Sequence, residues 1–156
     1  MATTYSTTLY ANNTPPNTGH GDWTGSMHLH AVSGSISTWA AGDTINVGYL
    51  PRNAVVVAAI LKAATQLDSN GAPTLTLSLG VTGTTGLFKS AVTTVGRAAG
   101  ASADNTVAAA GYLYKNTSGA KQAVLVTVGT AAATAVAGTL EVDIEFYVED
   151  AAGSNP

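Results

Sequence analysis

The chain has 156 residues and a mass of 15.6 kDa, the size of a single domain with one core. Six Lys and Arg against nine Asp and Glu give a formal charge of -3, without the basic excess that phosphate neutralisation needs, so no nucleic-acid partner is expected. Cysteine is absent, which excludes disulfide frameworks and thiolate chemistry, and only 10% of residues are charged against about 25% in an average soluble domain, a composition suited to surfaces packed against neighbours.

Residues 1–25 read as an extended N-terminal arm: ATTYSTTLYANNTPPNTGHGDWTG is polar and Thr/Asn-rich, and Pro15-Pro16 blocks a helix. Tyr5, Leu9, Tyr10 and Trp23 are more apolar than a solvated tail needs and are the candidate partner-binding anchors. Residues 26–150 read as one β-sandwich domain and 151–156 as a short tail. No export signal opens the sequence, and a soluble protein is expected.

The domain opens with a period-two segment in which Met27, Leu29 and Ala31 face one way and His28 and His30 the other. A second strand is expected at Thr44 to Leu50, with Ile45, Val47 and Tyr49 alternating against Asn46 and Gly48 before the turn Pro51-Arg52-Asn53. Ala54 to Ala64 contains three consecutive valines and is expected as a strand buried on both faces, ending in a turn at Asp68-Ser69-Asn70-Gly71. Its apolar run, Ala54 to Leu61, falls far short of the roughly 20 residues of a membrane-spanning helix, and no membrane partner is expected.

Leu75, Leu77, Leu79 and Val81 alternate with Thr74, Thr76 and Ser78 in a further strand. Glycines 80, 83 and 86 break the chain, a short segment at Leu87-Phe88-Lys89 follows, and Ala91 to Val95 resumes. Gly96 to Gly111 reads as a surface loop with one helical turn near Asp104 to Ala109. Gly111 to Lys115 is expected to put Tyr112 and Tyr114 on one face, and Asn116 to Gly119 to turn. Gln122 to Val128 sets Val124, Val126 and Val128 against Leu125 and Thr127. The last strand has Leu140, Val142, Ile144, Phe146 and Val148 inward and Glu141, Asp143, Glu145, Tyr147 and Glu149 outward. At roughly 1.5 to 3 kcal/mol per buried large side chain, that inner row contributes on the order of 10 kcal/mol before entropy is subtracted. Seven or eight short strands without a long helix give an all-β antiparallel β-sandwich.

No motif points to catalysis. His28 and His30 share a strand face but lack a second ligand pair, and the acidic row Glu141, Asp143, Glu145 lies on one ribbon instead of a cleft. Its like charges are expected to be offset by Lys89, Arg97, Lys115 or Lys121. The glycines around Thr84-Thr85 lack the Gly-Lys-Ser/Thr ending of a phosphate loop. The chain has no Gly-x-Ser-x-Gly elbow. No metal, cofactor or enzymatic activity is expected.

The stretch Asp43-Thr44-Ile45-Asn46-Val47-Gly48-Tyr49-Leu50-Pro51-Arg52-Asn53-Ala54-Val55-Val56, an extended strand ending in a Leu-Pro-basic turn and entering a valine-rich strand, resembles small tailed-bacteriophage virion proteins. The similarity continues through Gln66-Leu67-Asp68, the Leu75 to Leu79 alternation, Gly-Leu-Phe-Lys-Ser at 86 to 90 and the closing Gly138-Thr139-Leu140-Glu141-Val142. The family is that of jelly-roll capsid decoration or cement proteins. The resemblance implies a jelly roll, a homotrimer, binding to the major capsid protein on the outer surface of an icosahedral head after synthesis in the host cytoplasm, and no catalytic residues. Two other readings compete with it. One is a carbohydrate-binding or host-attachment module that stacks sugars on Trp23, Trp39, Tyr112 and Tyr114, and the other is a hydrolase using Glu141, Asp143 or Glu145.

Overall fold

The structure, a computed structural model, describes residues 27–149 and the backbone of Thr4–Leu9. It contains β1 (Thr4–Leu9), β2 (Met27–Ser33), β3 (Thr44–Leu50), β4 (Ala54–Ala63), β5 (Thr76–Val81), β6 (Thr84–Val92), β7 (Ser102–Asp104), β8 (Gln122–Thr130) and β9 (Leu140–Val148). Among the described residues no helix is long and apolar enough to cross a membrane.

Two four-stranded antiparallel sheets face each other, ordered β2-β9-β4-β7 and β3-β8-β5-β6. This is the strand order of a jelly roll: from β2 to β9 every connection crosses between the sheets except the β5-β6 hairpin. Strand β1 lies across one open side. Thr4 to Ser6 run parallel to Thr44 to Asn46 of β3, whereas Thr7 to Leu9 pair antiparallel with Ala31 to Ser33 of β2. One short ladder thus joins both sheets, and the backbone of Thr4–Leu9 forms part of the sandwich wall.

The core fills the space between the sheets. Leu140, Val142, Ile144 and Phe146 of β9 meet Leu77, Leu79 and Val81 of β5 and Val124, Val126 and Val128 of β8, all buried, as their period-two spacing requires. The inward rows of β2, β5, β8 and β9 follow the sequence alternation.

Elsewhere tertiary structure changed the local reading. In β3 a bulge between Asn46 and Gly48 shifts the register, so Tyr49 turns outward at 42% exposure and Leu50 takes the core position. Gly48 supplies the φ of +138° that the bulge requires. Only Ala54, Val55 and Val56 of β4 are buried on both faces; past the bulge at Val56/Ala58 the strand alternates. The two segments expected around residues 87 and 91–95 form one nine-residue strand, β6, because Val81 pairs with Thr84 across a two-residue turn at Thr82-Gly83. No helical turn forms at 104–109; instead Ser102–Asp104 add the edge strand β7 beside Leu61 to Ala63. Tyr112 and Tyr114 do not share a strand face: Gly111 to Leu113 turn, Tyr112 points to solvent, and Tyr114 packs edge-on against Phe88 with ring centroids 5.9 Å apart.

Asp68, read from sequence as a turn residue, is fully buried and organises two connections. Its Oδ2 accepts the backbone N–H groups of Thr74 (2.8 Å), Leu75 (3.1 Å) and Ala133 (3.0 Å), and its Oδ1 that of Thr134 (3.0 Å). Burial works to raise its pKa, but the four backbone donors outweigh burial and hold the carboxyl far below the ordinary range.

Candidate binding surfaces

The two outer sheet faces differ in charge. On the β2-β9-β4 face, cross-strand register brings His30 opposite Asp143 and Lys62 opposite Glu141. Lys62 Nζ donates to Glu141 Oε1 at 2.8 Å and to Asp143 Oδ2 at 2.7 Å. His30 Nδ1 donates to Asp143 Oδ1 at 2.5 Å, since the carboxylate can only accept. Burial would raise the Asp143 carboxyl, but the Lys62 and His30 hydrogen bonds outweigh it and lower the pKa. The bonds to Asp143 and then Glu141 raise that of Lys62.

This corrects the expected neutralisation of the acidic row. Lys62, which the sequence reading did not single out, offsets Glu141 and Asp143. Of the expected cations, only Lys115 pairs with an outward acid of β9's continuation, Glu149, at 2.6 Å. Lys89 turns inward to Asp104, Arg97 donates to the Leu75 and Thr74 carbonyls, and Lys121 lies 4.7 Å over the Tyr49 ring. Nothing local in the strand sequences marks such pairs: the β4–β9 register makes those of Lys62 and the β2–β9 register that of His30.

The donor atoms of His30, Glu141 and Asp143 lie within 4.8 Å of one another, a three-ligand set. The Lys62 ammonium already bonds both carboxylates, so a cation there must displace it. The same ammonium bonds two of the three carboxylates named in the hydrolase reading.

The β3-β8-β5 face is different. The strands TINVGYL, QAVLVTVGT and TLSLGV contain no Asp, Glu, Lys or Arg. Their outward positions carry Thr, Asn, Ser, Ala and Leu, with Tyr49 near one end. The Thr127 hydroxyl, in register between Thr44 and Ser78, is buried and has no hydrogen-bond partner among the described residues.

A third feature is the turn at Tyr112 (58% exposed) and Leu113 (50% exposed). Leu113 sits at φ 58°, and its N–H donates to the Val56 carbonyl at 2.8 Å, which fixes the turn to β4. A bulky residue in the left-handed region is strained.

The four arm anchors are placed only in part. The backbone of Tyr5 lies opposite Ile45 and that of Leu9 opposite Ala31; Tyr10 and Trp23 lie outside the described residues. The proposed sugar-stacking set is not assembled: Trp39 is a core residue whose Nε1 donates to the Val136 carbonyl at 2.9 Å, Tyr114 is packed against Phe88, and Trp23 is outside the described residues.

No protein-family model and no curated protein matches the sequence. Solved structures do. The chain is similar to one in the capsid of Ralstonia phage GP4, at 29% identity and a TM-score of 0.69 over 96% of this chain and 99% of that one. It is also similar to one in the cyanophage Pam1 capsid asymmetric unit, at 27% identity and a TM-score of 0.65 over 87% and 95% of the two chains. The likeness to phage capsid proteins that the strand-and-turn pattern suggests is therefore found again in three dimensions, across almost the whole chain.

Proposed function

We propose that this chain is a structural virion protein of the decoration or cement type, bound to the outer surface of an icosahedral phage head. The observation that carries the reading is the near-complete coverage of a phage capsid chain by this one jelly roll, with the two chains matching end to end. The charge-poor composition supports it, because neutral polar surface costs little to desolvate. A clamp of this kind acts by adhesion: each copy adds binding free energy across the joints between shell subunits and raises the threshold for their separation.

In this reading the partner is the major capsid protein, the protein forms a homotrimer, and Tyr5, Leu9, Tyr10 and Trp23 of the segment 1–25 are anchors to capsid or sister subunits. Residues 26–150 are the folded body and 151–156 a tail. Because Thr4–Leu9 pair with both sheets, deleting residues 2–24 removes a structural strand along with any anchors. The cleaner variant is Tyr10→Ser with Trp23→Ser.

The test is addition of purified protein to heads assembled without it. Saturable binding at a fixed copy number, with a raised temperature of head rupture, is the expected result, and native mass should give three chains. Failure to bind heads overturns the reading. Unchanged occupancy with the Tyr10/Trp23 double variant removes the anchor assignment alone.

A further inference from the structure

We infer that the uncharged outer face of β3-β8-β5 is the surface that seats on the shell, while the charged β2-β9-β4 face looks to solvent. The inference rests on the capsid-binding reading above and adds the orientation of the bound protein. Its occupant is a protein surface that is itself neutral and offers hydrogen-bonding groups.

Three observations support it. First, no charged residue occurs in any of the three strands, whereas β4 and β9 carry Lys62, Glu141, Asp143 and Glu145. Ions must shed their water when covered, and like acids on a buried face repel, so the cost of covering falls on one face only. Second, the Thr127 hydroxyl, at the centre of the neutral face, is already buried and has no hydrogen-bond partner among the described residues. Covering the face therefore adds no dehydration cost at this hydroxyl. Third, Leu125 lies beside it and Tyr49 nearer one end, the latter stacked under Lys121, so the neutral face carries two large apolar side chains among its small polar ones.

The experiment places single charges on each face and measures affinity for heads lacking the protein. Thr127→Lys and, at the more exposed position, Tyr49→Glu should weaken binding at least tenfold while keeping the wild-type melting temperature within a few degrees. His28→Lys and Val32→Lys on the other face should stay within twofold. Because Tyr49 is solvent-accessible, its variant keeps the test valid if Thr127→Lys misfolds. Equal effects from the two faces, or the reverse order, overturn the inference and leave the capsid-binding reading intact. Loss of the trimer mass in the β3-β8-β5 variants also overturns it, assigning that face to sister subunits. Wild-type protein that ignores heads removes both.

Discussion

Lys89 on β6 and Asp104 on β7 meet at 3.2 Å, although their strands are the outermost members of opposite sheets. The ammonium also bonds the Thr106 carbonyl, and Asp104 Oδ1 accepts the N–H and hydroxyl of Thr106. The ion pair closes the side of the sandwich opposite β1, so the two sheets are joined by a backbone ladder at one margin and by a side-chain bridge at the other. Lys89 is only 3% exposed; burial lowers its pKa and Asp104 opposes that. Burial raises the Asp104 carboxyl, but Thr106 and Lys89 together pull it below the ordinary range.

The two halves of this bridge should differ in what their loss costs. Asp104→Ala strands a buried ammonium and is expected to cost about 3–5 kcal/mol, whereas Lys89→Met leaves an acid still bonded by Thr106 and should cost about 1–2 kcal/mol. Chemical denaturation of both single variants and the double variant checks this, through a double variant less destabilised than the sum of the two. Additive losses would show that the pair does not couple the sheets.

Acid should destabilise the fold through Asp68, Asp104 and Asp143. Each has a folded pKa below the unfolded value of 3.8, so the unfolded chain takes up protons first as pH falls. Their stabilisation is complete above the unfolded value and drains away as pH drops through 3.8 toward the lower folded values. Asp68→Asn, which retains shape but replaces one acceptor with a donor facing N–H groups, should lose about 2–3 kcal/mol at neutral pH and flatten the acid limb. Melts between neutral pH and pH 2 on both proteins measure it; parallel curves would contradict the assignment.

Leu113→Gly should stabilise the protein by about 0.5–1 kcal/mol, since relief of a left-handed leucine exceeds the added freedom of the unfolded glycine. Thermal melts at matched concentration decide it. A loss of stability would mean that the exposed leucine contributes packing that outweighs its backbone strain.

Val142→Asp or Ile144→Asp should prevent folding. Both side chains are fully buried in the middle of β9, where an unpaired carboxylate costs several kcal/mol against a total stability of about 5–15 kcal/mol. A variant melting within a few degrees of wild type would reject the strand's orientation.

Zinc should leave the melting temperature unchanged, because Lys62 occupies the space between Glu141 and Asp143. Lys62→Met, which frees both carboxylates, tests the reason: a zinc-dependent shift appearing only in that variant identifies the ammonium as the occupant.

What the linear sequence determined is the inward row of each regular strand. Leu75 to Val81, Val124 to Val128 and Leu140 to Val148 alternate with period two, and a half-buried strand admits no other reading of that pattern. The neutral character of β3, β5 and β8 was also written there, residue by residue. Tertiary structure decided everything that depends on which strand lies beside which. The bulge that turns Tyr49 outward, the pairing of Lys62 with Glu141, the Lys89–Asp104 bridge and the burial of Asp68 all join positions between 6 and 79 residues apart. Alternation records which way a side chain points relative to its own strand, but not its neighbour across the sheet. That neighbour is set by register, and register is fixed only when the two layers close on a common core.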